Sequence, residues 1–178
     1  MPPSTHKLSG SNQSVGTPPE IFSIVYEAFD ITCDVTASAN NALCTNFLTE
    51  QDNSLELDWE QYVGDGWAWN NHPYNNCRQW FEKMDEQAKL GVKTVSLQPC
   101  SLHRKYCKKF LLDGRGLAVL LYPAVKFVGY DNASSVLHQI SLWHPRLSGV
   151  RAIEWLDWSD HDLAVMKLKG ITSRWDLK

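Results

Sequence analysis

The clearest periodic signal in the chain is Cys77, Trp80, Phe81, Met84 and Ala88, apolar positions at i, i+3, i+4, i+7 and i+11. That spacing lays them along one side of a helix, and Gly91 stands where a C-terminal stop belongs. The stretch IFSIVYEAFDITCDVT predicts a long strand, with Ile21, Val25, Phe29, Ile31, Cys33 and Val35 sharing one face at period two. Its other face begins apolar at Phe22, Ile24, Tyr26 and Ala28 and turns polar from Asp30 on, the pattern of a strand covered on both sides and then on one. SANNALCTNFLTEQ predicts a helix, with Ala39, Leu43 and Phe47 four apart and Ser38 as its cap. LELDWEQYV alternates as a half-exposed strand, and GDGWAWNNHPYNN reads as a loop from its glycines, proline and asparagines. VKTVSLQP is a short strand ended by Pro99, and LAVLLYPAVKFVGY a buried strand bent at Pro123. Residues 134–158 fit helix or strand, with a lean to helix at 135–143, and LAVMKLKGITSRWDLK reads as two short strands around Lys169 and Gly170.

Residues 1–19 are rich in Ser, Pro, Gly, Asn and Thr and have almost nothing to bury, so a flexible arm is expected there. Residues 20–178 are expected to form one compact α+β domain, a mostly antiparallel sheet flanked by two to four helices. A chain of 178 residues with 43% apolar positions and eight tryptophans can bury such a core without covalent staples.

Charge changes the picture little at the scale of the whole chain. Seventeen basic against 20 acidic residues leave a net charge of −3, so polyanion binding has to come from a local patch. No apolar run approaches the ~20 residues that cross a bilayer, and the N-terminus has no signal-peptide core. Five cysteines with no export signal read as reduced thiols of a cytosolic compartment.

The one local patch is HRKYCKKF, in which His103, Arg104, Lys105, Lys108 and Lys109 crowd together. On a helix the four Lys/Arg residues share a face opposite Leu102, Tyr106 and Phe110, which suits phosphates or anionic head groups as well as it suits an ordinary solvated face. Cys100, His103 and Cys107 have zinc-ligating chemistry but lack a fourth ligand at a close spacing, with His72 and Cys77 the outside candidates. Asp160, His161 and Asp162 fit either turn and cap chemistry or a carboxylate-oriented histidine. Trp67 and Trp69 have no periodic reason to be buried; they read either as exposed contact residues or as rings folded back under their loop.

The order of elements resembles the matrix protein of rhabdoviruses, in its plant-infecting branch. The resemblance rests on TPPE leading into IFSIVYEAFDIT, on HRKYCKKFLLDGRGLAVLLYPAVKFVGYDN as a basic segment before an apolar strand, and on the closing LAVMKLKGITSRWDLK. It implies a viral structural protein, not an enzyme, located in the virion and at host cytoplasmic membranes. Such a protein would self-associate through Pro18, Pro19, Trp67 and Trp69. It would bind nucleocapsid protein and RNA or the anionic inner leaflet through His103, Arg104, Lys105, Lys108 and Lys109, with an envelope glycoprotein tail as a further partner. It implies no cofactor and no metal. Two other readings of the same residues are an RNA-binding regulator of the silencing-suppressor type and a small Cys/His hydrolase or zinc protein.

Overall fold

In the computed structural model, residues 16–177 are described. Six strands form one sheet: β1 Ile31–Asp34, β2 Trp67–Asn70, β3 Lys93–Pro99, β4 Gly116–Tyr122, β5 His138–Trp143 and β6 Ile153–Asp157, in the order β1-β2-β3-β5-β4-β6. β1, β2 and β3 pair in parallel, as do β4 and β6, while β5 runs antiparallel to both β3 and β4. Every strand of the sheet but β5 therefore points the same way. The α+β class and the single domain stand, and the pairing is mixed rather than mostly antiparallel. Helix α3, Cys77–Lys89, is the reason at β2 and β3, because parallel neighbours need a crossover of this length.

Helices cover both faces. On one side α1, Pro19–Ala28, and α4, His161–Arg174, pack together over the sheet. Ile24, Val25, Val165 and Leu168 meet Trp67, Trp69, Val95 and Val119 there. On the other side α3 and a wide-turned helix, Cys107–Arg115, bring Phe81, Met84 and Leu111 against Ala68, Ala118 and Trp143. Alternation along β2 does the sorting, since Trp67 and Trp69 fall on the first side and Ala68 on the second. A short α2, Glu60–Val63, precedes β2. Between them Gly66 lets β2 lie close to β1, for a Cβ there would stand 2.3 Å from Thr32 Cγ2.

Six elements differ from the sequence expectation, among them β2, which forms inside a stretch expected as loop. IFSIVYEAF is α1: Pro19 occupies the first helical turn, where its missing N–H costs nothing, and Ile21, Ile24, Val25 and Ala28 keep the i, i+3, i+4, i+7 rule. The β-branched residues of that stretch fit strand and helix alike, and burial against α4 decides for helix. The closing segment is α4, with Ala164, Val165, Leu168 and Ile171 on its buried face. Residues 138–143 are strand, buried at every position, so a central strand covered on both faces shows no alternation to read. Residues 38–48 form no helix. There Asn41 Oδ1 accepts from the Ser38 N–H at 2.6 Å and the Asp34 carboxylate from the N–H groups of Thr36 and Leu43, so side chains compete with the helical ladder.

LELDWEQYV is a turn leading into α2 and not a strand; Trp59 is buried with its indole donating to the Ser54 carbonyl at 2.8 Å. Helix α3 and strand β3 form as the sequence predicts, while the apolar strand is β4 only as far as Tyr122, and residues 123–130 leave the sheet. Of the expected arm, residues 1–15 lie outside the described residues. Gly16 bridges to Val128, and Pro18 is buried at the start of α1.

Candidate active site

Strand β2 ends at Asn70, and the chain continues as Asn71-His72-Pro73-Tyr74 before a single tight turn, Tyr74–Asn76, opens α3. This four-residue loop stands between two cavities. A cleft of about 990 Å³ lies beyond the carboxyl ends of β1 and β2, with Asp34, Thr36, Ser54, Trp69, Asn71 and Pro73 in its wall. A cavity of about 460 Å³ on the other side is walled by Tyr74, Pro99, Phe127, His138 and residues 130–136. The carboxyl ends of parallel strands are where open sheets of this kind bind ligands, because the loops that follow the strands gather there.

The loop is held from several directions. The Asn71 N–H donates to Thr36 Oγ1 at 2.9 Å, its Nδ2 donates to Thr17 Oγ1 at 3.0 Å, and its Oδ1 accepts from the Tyr74 hydroxyl at 3.0 Å. His72 is 1% exposed, with its ring stacked on Trp80 at 5.5 Å and 16°. Burial pulls its pKa down to about 3, so the imidazole is neutral near pH 7. Nδ1 lies 3.3 Å from Asn70 Oδ1 and serves as the protonated nitrogen of that contact. Nε2 is then a buried acceptor with no protein partner. Asn70 in turn donates from Nδ2 to Met84 Sδ at 3.3 Å, which ties the end of β2 to α3.

On the smaller cavity Tyr74 stands edge-on to Phe127 at 6.2 Å and tilted to His138 at 5.9 Å, and Phe127 meets His138 at 4.8 Å. Burial raises the Tyr74 pKa and lowers that of His138, so both rings are uncharged at neutral pH. On the cleft, the Asp34 carboxyl is pushed up to about 6 by burial, against the pull of two backbone N–H groups. Burial also pushes the thiols of Cys33, Cys44 and Cys107 up to about 12, 11 and 12, which leaves them inert as nucleophiles.

Apart from His72 in the loop and Trp69 in the cleft wall, the residues singled out in the sequence fall elsewhere. Trp67 and Trp69 are 4% and 0% exposed on β2, packed on Phe29 at 4.8 Å and on Phe22 at 5.4 Å, so the folded-back reading is the one the structure has. They are core, not an exposed contact loop. His103, Arg104, Lys105, Lys108 and Lys109 are exposed on the turn and helix that follow β3. Among the described residues no three metal-ligating side chains come together, so Cys100, His103 and Cys107 do not converge. Asp160 caps α4 by accepting from the Leu163 N–H at 3.1 Å. His161 reaches the Ser23 hydroxyl at 3.2 Å on the exposed outside of α1 and α4, and lines neither cavity. Of the loop Asn71–Tyr74 the sequence marks only His72, as an outside zinc-ligand candidate, because the segment lies inside a stretch that reads as loop throughout. The signal was there: polar and aromatic side chains packed between a buried WAWN and the start of the clearest helix.

Residues 5–113, well over half of the chain, match the family described as DNA N-6-adenine-methyltransferase (Dam). The chain belongs to the Dam family. A search of curated proteins and one of solved structures each return no match. The matched span holds β1, β2, α3 and β3, the Asn71–Tyr74 loop and the cationic segment. Membership overturns the resemblance to rhabdovirus matrix proteins, and with it the non-enzymatic structural role in a virion and the nucleocapsid and membrane partners. The RNA-binding regulator and the Cys/His hydrolase or zinc protein fall as well. The physical reason is plain in the fold. The opening strand and the closing strand pair that carried the resemblance are the helices α1 and α4 of this Dam-family chain.

Proposed function

We propose that this chain methylates the N6 amine of adenine in DNA, with the Asn71–Tyr74 loop as the place where methyl donor and base meet. The observation that carries this is the position of the loop: Asn71 and Pro73 line the larger cleft, and Tyr74 lines the smaller cavity. Two ligands bound on either side of so short a loop can meet at its edge, where the N6 amine would reach the donor's methyl group directly.

The smaller cavity suits the base. An adenine turned out of its duplex needs an apolar slot with aromatic walls, which Tyr74, Phe127 and His138 supply without charge. The N6 amine is a weak nucleophile because its lone pair is shared with the ring. An acceptor on its N–H favours the pyramidal, reactive form, and the Asn71 side-chain carbonyl is an acceptor in this loop, held at present by the Tyr74 hydroxyl.

The larger cleft suits the donor. Its volume lies within the range of small-molecule sites, and Ser54 Oγ is buried in its wall with no protein partner. Asp34, Thr36 and Ser54 would hold the polar parts of S-adenosylmethionine, and Trp80 offers an aromatic edge. When bound, that donor supplies a methyl group on a sulfonium centre. The neutral His72 beside the cleft adds no positive charge that would repel a cationic ligand.

The test is incubation of the protein with unmethylated duplex and S-adenosylmethionine labelled in its methyl group, followed by digestion and separation of nucleosides. Label is expected in N6-methyladenine, and Asn71→Ala is expected to lower the rate by roughly a hundredfold or more. Label found only in methylated cytosine, or none with both ligands bound, overturns the reading.

A further inference from the structure

We infer that Arg104, Lys105 and Lys109 form a clamp for the phosphate backbone of the DNA duplex beside the smaller cavity. This rests on the function proposed above and assigns to that site its hold on the duplex.

Placement is the first argument. Pro99 ends β3 and lines the smaller cavity, and the cationic segment follows at once. The joint between them is tied down. The Cys100 N–H donates to the Leu137 carbonyl at 2.7 Å, the buried Ser101 donates its hydroxyl to the Pro99 carbonyl at 3.3 Å, and the Arg104 N–H donates to the Ser101 carbonyl at 2.8 Å. Arg104 and Lys105 are thus projected from the same end of the sheet at which the base slot lies.

Charge is the second. Lys108 is bound to Asp113, which also holds Arg151 at 2.6 Å, so that cation is already matched. Among the described residues no carboxylate pairs with Arg104, Lys105 or Lys109. Several cations elsewhere are matched, Lys167 and Arg174 on Glu154 and Lys89 on Asp85, and unpaired ones such as Arg78, Lys93 and Lys126 stand singly along the chain rather than three within six positions. In a chain of net charge −3, three exposed cations with no carboxylate partner, on the segment that follows Pro99 out of the cavity wall, are a local attractor for a polyanion. A duplex fits it better than a free nucleotide, because the cations stand outside the cavity wall, where the phosphates flanking a turned-out base would pass.

The experiment measures binding of a labelled DNA duplex by fluorescence anisotropy over a series of salt concentrations. It compares the wild-type chain, R104Q/K105Q/K109Q and, at the opposite end of the sheet, K167Q/R174Q. Binding of S-adenosylmethionine, followed by calorimetry, shows that each variant keeps its cleft. The triple variant is expected to bind DNA at least tenfold more weakly, with a slope of log affinity against log salt shallower by roughly two to three. K167Q/R174Q is expected to stay within about twofold of wild type. An unchanged slope in the triple variant, or an equal loss in K167Q/R174Q, overturns the clamp while leaving the proposed function in place. A wild-type chain that binds no DNA sinks that function and the clamp with it.

Discussion

The Tyr74 hydroxyl donates to Asn71 Oδ1 at 3.0 Å, closing the loop between the two cavities on itself. The first and fourth residues of the loop therefore set each other's position, one facing the cleft and the other the aromatic slot. Replacing Tyr74 by Phe keeps the ring and removes the bond. The expected cost in stability is about 1 kcal/mol, read from urea unfolding. Methylation should fall further than stability does, in kcat more than in KM, because the Asn71 amide is left free to turn.

Asp34 predicts an unusual dependence on pH. Its folded pKa of about 6 lies above the ordinary 3.8, so the folded chain keeps this proton when the unfolded chain has lost it. The stability it contributes is complete below 3.8 and is lost as pH rises through about 6, at roughly 1.4 kcal/mol per pH unit inside that window. Asp34→Asn removes the slope. Urea unfolding of both proteins at pH 4 and pH 7 should show the variant gaining on wild type at the higher value.

His72 tilts the other way. Its folded pKa of about 3 lies below the ordinary 6.5, so the unfolded chain takes up the proton first as pH falls. Stability from the neutral ring is complete above 6.5 and is lost on acidification toward about 3. His72→Gln should therefore flatten acid unfolding below pH 6. The slopes of Asp34 and His72 oppose each other between 3.8 and 6, so each is visible only when the other is replaced.

Phe81 is fully buried, edge-on to Trp143 at 5.5 Å and to Tyr106 at 5.2 Å, and so joins α3 to the sheet. Phe81→Ala should cost about 3–5 kcal/mol, seen as a large fall in thermal midpoint. A loss below 1 kcal/mol would mean that α3 does not need this contact to stay in place.

Legibility followed exposure. Helix α3 has one wet face and one dry face, so its period of 3.6 is written in Cys77, Trp80, Phe81, Met84 and Ala88. β5 has no wet face, and a run buried from His138 to Trp143 carries no period. α1 and α4 hide their buried faces against each other and the sheet, and their Ile and Val residues suit a strand as well as a helix. The site was harder still. Asn71 has meaning only through Thr36 and Thr17, which are distant in the chain, and His72 only through the Trp80 ring of the helix that follows. The cationic segment was legible as a patch, but which of its members were already neutralised depended on Asp113.

Thr17 precedes the first helix, yet its hydroxyl receives the Asn71 amide more than fifty positions along. The leading end of the chain is thereby a strut for the reaction loop. Trimming the protein back to Pro18, or fusing a bulky tag at that point, would remove only Gly16 and Thr17 from the cleft wall and still loosen the loop.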